Sequence, residues 1–157
     1  MDGILTEKIV EIWSKARLVD KRIFENKYIK ESADEFRLDD MGGIMQKGKF
    51  GLLGIYGWNV DYILPLPKGG DDNMVNLRPL HWKNITAKGD DFPTFNGGTG
   101  TLTGDRFHND DRPVTKFTLT YDMLKLLSTI YPNNAYVSAA IYERLDPPFN
   151  YITNIKL

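Results

Sequence analysis

The sequence predicts a single α+β domain, and three features of the 157-residue chain lead to that prediction. Short apolar segments bounded by Gly, Pro, Asn and Asp are typical of strands joined by tight turns. Apolar residues at three- and four-residue spacing indicate helices near both ends of the chain. The sequence shows no repeat, low-complexity segment or linker, and its length suits one hydrophobic core. We therefore expect one domain over residues 1–157.

The composition is that of an ordinary globular protein, with 41% hydrophobic and 26% charged residues. A net charge of −1 and a pI of about 6.1 lack the basic surplus that is typical of dedicated nucleic-acid binders. The absence of Cys excludes disulfides and Cys-type zinc sites. No apolar run is long enough for a membrane span and no signal peptide opens the chain, so we expect a protein without a membrane partner.

The first third of the chain predicts a helix followed by a hairpin. Residues 4–20 carry apolar residues at helical spacing, and Thr6 is a suitable N-cap. Residues 21–36 predict irregular structure with one helical turn. Residues 37–50 predict a hairpin, because Asp39–Gly43 has turn composition and a strand can begin at Ile44.

The segment 57–90 predicts a strand, a flexible loop and a helix. An apolar run from Trp58 to Leu64 ends at Pro65, which cannot continue a strand ladder. Residues 68–72, Lys-Gly-Gly-Asp-Asp, have the composition of a loop. The pattern shifts towards helix from Leu80, and Gly89 is a suitable helix stop.

The remaining residues predict loops and two helices. Residues 91–118 are rich in Gly, Asp, Asn and Thr, so we expect loops with one hairpin near 101–103. Thr120 is a suitable cap for a helix from Tyr121 to Ile130. Residues 135–145 favour a short helix, with a strand as the alternative, and the tail 149–157 has a strand-like pattern.

The order of strand, glycine loop, Asn-Leu and short helix resembles the ββα-metal finger of the HNH endonuclease superfamily. The family string is Asp-His-Ile-x-Pro, Gly-Gly, Asn-Leu-x-x-Leu, then a helical Asn or His three residues before Lys. It aligns without a gap at Asp61, Ile63, Pro65, Gly69, Gly70, Asp72, Asn76, Leu77, Leu80, Lys88 and Gly89. The resemblance spans roughly residues 13–95 and is loose before Gly57. It implies an HNH-like core at about 37–95 and a helical C-terminal part at about 118–145.

Two positions depart from the family pattern. Tyr62 stands where the resemblance implies a general-base His, and Ile85 stands where it implies a metal-binding Asn or His. A phenol with a pKa of about 10 is a poor base at neutral pH. An aliphatic side chain cannot coordinate a metal ion. We therefore expect no metal, with Asp61 as the one remaining ligand position.

Other candidate residues follow from the same alignment. The resemblance implies that Asn76 holds the loop through backbone hydrogen bonds. We interpret His81 as a satisfied core or interface residue, which could replace the missing base only if the helix were rotated by about 100°. Four basic residues could contact phosphates, the alternative being an ordinary solvated face. They are Lys68, Arg78, Lys83 and Lys88.

The departures suggest a finger that closes on apolar contacts instead of a metal. In this interpretation Tyr62 and Ile85 pack together at the former metal position. The residues expected around them are Trp58, Ile63, Leu77, Leu80 and Trp82.

The resulting functional hypothesis is a catalytically silent HNH-like protein that serves as a binding or structural component, in a setting such as a phage or virus. Its partner would be a protein or a second copy, and its location the cytoplasm or a virion. One alternative is an active metal-dependent endonuclease that uses Mg²⁺, Mn²⁺, Ni²⁺ or Zn²⁺ and takes ligands from the acidic loop, such as Asp105 or Asp110. Another is a DNA-binding protein without cleavage. His108 and Asp111 share the acidic loop, although such loops are usually only solvated.

Overall fold

The structure is a computed structural model that describes residues 5–19, 33–101 and 107–144. Its first element is helix α1, Glu7–Trp13, which buries Ile12 and Trp13. The predicted cap is confirmed, because the Thr6 hydroxyl accepts a hydrogen bond from the Ile9 N–H at 3.3 Å. The helix is shorter than the predicted span of 4–20.

The helix ends in tight turns, in which the Lys15 and Ala16 N–H groups donate to the Ile12 and Trp13 carbonyl oxygens at 3.0 Å. Beyond the helix, the Arg37 guanidinium donates from Nη1 to the carbonyl oxygens of Ser14 and Ala16, at 3.1 and 3.3 Å. The chain then forms strand β1, Arg17–Leu18, which pairs antiparallel with strand β2, Phe36–Leu38. The predicted helix is therefore wrong at residues 17–18, where strand pairing prevails over helical periodicity.

Strand β3, Ile44–Gln46, completes a three-stranded antiparallel sheet with the order β1-β2-β3. This confirms the predicted hairpin and its turn at Asp39–Gly43. Short 3₁₀ turns at Ala33–Glu35 and Lys47–Lys49 flank the hairpin. The segment predicted to be irregular was 21–36, and its residues 21–32 lie outside the described residues.

A second antiparallel pair contains strand β4, Trp58–Tyr62, and strand β5, Leu77–His81. Helix α2, Trp82–Lys88, follows β5 directly and ends at Gly89 as predicted. The sequence did not predict β5 as a separate strand. The loop between the strands contains 3₁₀ turns at Leu66–Lys68 and Met74–Asn76.

A third pair contains strand β6, Thr94–Gly100, and strand β7, Asp110–Thr118. The predicted loops at 91–118 are therefore wrong over much of this range. The local composition does not indicate a strand at β6, because its glycines allow close contact with α2, which is distant in sequence. A Cβ on Gly98 would lie 2.4 Å from the carbonyl oxygen of Lys83 in α2. Of the predicted hairpin centre at 101–103, only residue 101 lies within the described residues.

Two helices complete the described chain. Helix α3, Tyr121–Ile130, has the predicted bounds, and the Thr120 hydroxyl accepts from the Met123 N–H at 3.1 Å. Helix α4 covers residues 135–144, which resolves the helix-or-strand alternative. The predicted strand-like tail lies outside the described residues.

The main apolar cluster joins the hairpin β4–β5, strand β6 and both C-terminal helices. It contains Ile63, Leu64, Leu80, Phe95, Leu124, Leu127 and Val137. A second cluster packs Trp13 of α1 against Met45 and Trp58. Helices and antiparallel sheets thus share one α+β domain, as predicted. Within the described residues, no helix has the length and apolar character needed to cross a membrane.

Candidate functional site

The candidate site centres on the carboxylate of Asp61, which is only 5% exposed. Successive side chains of a strand point to opposite faces, so Trp58 and Asp61, which are three residues apart in β4, are buried on opposite sides of the hairpin. The register of the hairpin places Arg78 of β5 directly opposite Asp61. The Arg78 Nε donates to Asp61 Oδ2 at 2.8 Å.

A second cation completes this group from the last turn of α2. The Lys88 Nζ lies 3.2 Å from Asp61 Oδ1 and donates to the Tyr62 carbonyl oxygen at 3.0 Å. Lys88 is only 2% exposed, and burial lowers the pKa of its ammonium group while Asp61 opposes that shift. The Phe95 ring flanks both cations, with its centroid 5.1 Å from Arg78 Cζ and 5.8 Å from Lys88 Nζ. We call Asp61, Arg78 and Lys88 the ionic triad.

The ionic triad changes two of the sequence-based interpretations. Arg78 and Lys88, for which phosphate contacts were predicted, are buried partners of Asp61. The other two basic candidates are more accessible. Lys83 pairs with Asp111 at 2.8 Å, and Lys68 donates to a backbone carbonyl of Asp90 at 2.6 Å.

Tyr62 and Ile85 do not close the site in the way that the sequence suggested. The Tyr62 hydroxyl donates to Asp72 Oδ1 at 2.8 Å, and this hydrogen bond raises the pKa of the phenol, with a further contribution from burial. A phenol that is already donating to a carboxylate is not poised to accept a proton. Ile85 packs against the main apolar cluster as a partly buried residue. Ion pairs, rather than an aromatic–aliphatic pair, therefore fill the space around Asp61.

Asn76 makes the backbone hydrogen bonds that the family resemblance implied. Its Oδ1 accepts from the Leu64 N–H at 2.7 Å, and its Nδ2 donates to the carbonyl oxygens of Leu64 and Asp71. The loop is tight at this point, since a Cβ on Gly70 would lie 1.7 Å from the Leu64 carbonyl oxygen. The structural interpretation of Asn76 is confirmed.

His81 is a buried core residue, which confirms the interpretation that preferred this role to a substitute base. Its Nε2 lies 2.7 Å from the carbonyl oxygen of Ile55, and its Nδ1 accepts from the Lys83 N–H at 3.1 Å. These contacts assign the proton to Nε2 and make the ring the N-cap of α2. Burial lowers the pKa of the imidazole. Because both ring nitrogens are engaged, His81 is not positioned to activate water.

A second buried carboxylate was not found by sequence reasoning. Asp39 accepts from the backbone N–H groups of Met41, Gly43 and His81 and from the Asn84 side chain, at 2.7–2.9 Å. Asn84 in turn accepts from two N–H groups of β6. We call Asp39 and Asn84 the hydrogen-bonded node. The only sequence signal was the turn composition around Asp39, which does not reveal the long-range partners.

The acidic loop offers little for metal binding. His108 Nε2 lies 3.3 Å from Asp110 Oδ1, and Asp111 is engaged with Lys83. Among residues 5–19, 33–101 and 107–144, no three His, Cys, Asp or Glu side chains are grouped closely enough to hold a metal ion. Asp105, the other suggested ligand, lies outside the described residues.

Comparison with protein-family models, with curated proteins and with solved structures finds no match to this chain. The HNH resemblance therefore rests on the register of the sequence motif.

Proposed function

We propose that this protein is a catalytically silent relative of HNH nucleases whose finger serves as a binding or structural component. The observation that carries the proposal is the ionic triad. Both oxygens of Asp61 already face cations, at 2.8 and 3.2 Å. Ile85 supplies no ligand, and the Tyr62 hydroxyl is held by Asp72.

Electrostatics oppose a divalent ion at Asp61. Two unit charges of the same sign 4 Å apart repel by about 4 kcal/mol at an effective dielectric constant of about 20. A metal ion beside Asp61 would face Arg78 and Lys88 together, with no second carboxylate among the residues of the triad. It would have to displace at least one buried cation, which would then lose its own compensating charge.

The binding half of the proposal is supported by an exposed apolar loop between β3 and β4. Leu53 and Ile55 are 75% and 74% exposed. The loop backbone is nevertheless fixed, because the Ile55 carbonyl oxygen accepts from His81 and the Gly54 carbonyl oxygen accepts from the Trp82 indole at 2.8 Å. Apolar side chains on a fixed backbone suit a protein partner, since little backbone entropy is lost on docking.

A role in DNA binding has less support. The net charge is −1, and two of the four basic candidates are buried in the ionic triad. For the setting, we propose a small accessory protein of a phage or virus.

The test combines metal titration with cleavage assays. The parent protein should show no heat of specific binding with Mg²⁺, Mn²⁺, Ni²⁺ or Zn²⁺, and should leave plasmid DNA and single-stranded RNA intact. The double variant Tyr62→His/Ile85→Asn restores the family residues but leaves Asp61 bound to Arg78. We expect Mn²⁺ binding only when Arg78→Gln is added to that pair, because this change frees Asp61 Oδ2.

The matched control adds Asp61→Ala to the triple variant and should abolish any binding gained, with thermal melts reporting that each variant is folded. Micromolar metal binding by the parent that Asp61→Ala removes would contradict the proposal. Cleavage by the parent with the same dependence on Asp61 would favour the endonuclease alternative.

A further inference from the structure

A cavity of about 390 Å³ lies where the Arg78 end of the hairpin meets β6, β7 and the first turn of α3. This volume falls within the range of small-molecule sites. Two arginines, one carboxylate and several apolar side chains line the cavity. The charged residues are Arg17, Arg78 and Asp40, and the apolar ones include Phe95, Phe117 and Met123.

The Arg78 guanidinium is held in place by its contacts, but not all of its N–H groups have hydrogen-bond partners in the described part of the chain. Its Nε is bound to Asp61, and its Cζ lies 5.1 Å from the centre of the Phe95 ring. On the outer edge, Nη1 has one contact with Asp40 Oδ2 at 3.3 Å. The other outer atom, Nη2, is buried and has no hydrogen-bond partner among the described residues. A planar guanidinium edge of this kind matches the two oxygens of a carboxylate.

Asp40 is a weak occupant of that edge. Its side chain is 51% exposed, while that of Arg78 is 7% exposed, and the single contact between them is long, at 3.3 Å. A long contact to a half-exposed carboxylate that water can screen is weak. Rotation of Asp40 towards solvent would free Nη1 of Arg78, next to Nη2, which is unpartnered within the described residues. An incoming carboxylate could then make two short hydrogen bonds where Asp40 makes one long bond.

The charge around the cavity favours such an exchange. Among the residues that line the cavity, Arg17 and Arg78 supply two positive charges against the one negative charge of Asp40. The N-terminus of α3, a helix of ten residues, also borders the cavity through Thr120 and Met123. A helix N-terminus carries partial positive charge and favours an anion.

We propose that this cavity binds a small monocarboxylate with a flat apolar body, and that the ligand carboxylate replaces Asp40 on the outer edge of the Arg78 guanidinium. The apolar body lies against Phe95, Phe117 and Met123. This site is separate from the metal chemistry of HNH fingers, and its test is independent of whether the finger is silent.

The first experiment uses 3-phenylpropionate as the probe and methyl-labelled methionine as the reporter. We expect saturable calorimetric binding of 3-phenylpropionate, with shifts of the methyl signals of Met41 and Met123, which line the cavity. Met45 lies in the Trp58 cluster and serves as the internal control. 3-Phenylpropionamide lacks the negative charge, and propionate lacks the phenyl ring. Each should therefore bind at least roughly tenfold more weakly than 3-phenylpropionate.

The second experiment changes the occupant of the guanidinium edge. Asp40→Asn should strengthen binding roughly two- to fivefold, because it removes a competing charge of the strength expected for an exposed pair. Arg17→Gln should weaken binding. Asp111→Asn, a change of the same kind at a residue that pairs with Lys83 and does not line the cavity, should leave it unchanged. Melting curves establish that each variant is folded.

The proposal is overturned if neither the parent nor Asp40→Asn binds 3-phenylpropionate. It is equally overturned if the amide binds as well as the acid, or if the shifts fall on Met45 instead of Met41 and Met123.

Discussion

Two buried aspartates, Asp39 and Asp61, show two different ways of keeping a carboxylate inside this small protein. They are 1% and 5% exposed. Asp61 is compensated by charge, through the cations of Arg78 and Lys88. Asp39 is compensated by dipoles, through three backbone N–H groups and the amide of Asn84.

The two aspartates differ in whether substitution can replace their hydrogen-bond and ion-pair partners. Both partners of Asp61 are side chains, so the whole ionic triad could be replaced by apolar residues without leaving a buried charge. Three of the partners of Asp39 are backbone N–H groups, which remain after any substitution except one to Pro. A change at Asp39 therefore leaves donors without an acceptor, and those donors belong to two distant parts of the chain, the turn at Asp39–Gly43 and the start of α2.

The largest effect is expected from Asp39→Ala. It leaves four buried donors without their acceptor, each costing about 1–3 kcal/mol when it finds no water. We expect the free energy of unfolding to fall by more than about 4 kcal/mol in urea denaturation. Asp91→Ala, at an exposed position, should change it by less than about 0.5 kcal/mol. A loss at Asp39 as small as the control would mean that water or a backbone shift satisfies these donors.

A smaller loss is expected from Asp61→Asn, which leaves two buried cations without a carboxylate. Breaking a buried ion pair in this way costs about 3–5 kcal/mol. The comparison is sharpened by the triple variant Asp61→Leu/Arg78→Met/Lys88→Met, which replaces all three charges with apolar groups. We expect this variant to be more stable than Asp61→Asn in the same urea experiment. A triple variant that is less stable than Asp61→Asn would show that the triad is worth more than apolar packing.

Sequence reasoning predicted the elements whose signals are local. Thr120 and the apolar spacing after it gave the bounds of α3, and the turn composition at Asp39–Gly43 gave the first hairpin. Gly89 gave the end of α2. Each of these signals lies within a few residues of the feature that it specifies, so the rest of the fold is not needed to interpret it.

The features that it missed depend on long-range pairing. Strand β6 looks like a loop because its glycines allow close approach to α2. The ionic triad depends on the strand register that places Arg78 opposite Asp61, and the node depends on Asp39 meeting Asn84 across 45 positions. A single sequence specifies neither contact in advance, which is why Arg78 and Lys88 were assigned to phosphates instead of to Asp61.

A substitution at Ile85 tests whether apolar packing or a bound metal ion stabilises the finger. Because this residue is only partly buried against the main cluster, Ile85→Ala should cost about 1–3 kcal/mol, below the upper range for a fully buried site. In a thermal melt this corresponds to a fall of several degrees. Adding EDTA to the parent should leave the melting temperature unchanged. An EDTA-sensitive melt together with an indifferent Ile85→Ala would show that a metal holds the finger and that the family register at residue 85 is wrong.

The smallest expected effect is a pH dependence that arises from His81, the residue that donates its backbone N–H to Asp39. Burial is the main cause that lowers the pKa of this imidazole, with Lys83 adding to it, while the Ile55 contact and the charge of Asp39 oppose it. In the unfolded chain the pKa returns to about 6.5. Above that value the ring is neutral in both states, and the folded protein retains the full stability of the Nδ1 cap.

As the pH falls below about 6.5, the unfolded chain binds a proton more readily than the folded one, so the free energy of unfolding decreases until the lower folded-state pKa is passed. Protonation would also place an Nδ1–H against the Lys83 N–H and remove the cap of α2. Urea denaturation between about pH 7.5 and about pH 5.5 should therefore show a loss of stability that His81→Gln flattens. His108→Gln removes the other histidine, which is exposed, and should leave the slope in place. A pH dependence that His81→Gln leaves unchanged would mean that the pKa of His81 does not differ between the folded and unfolded chains.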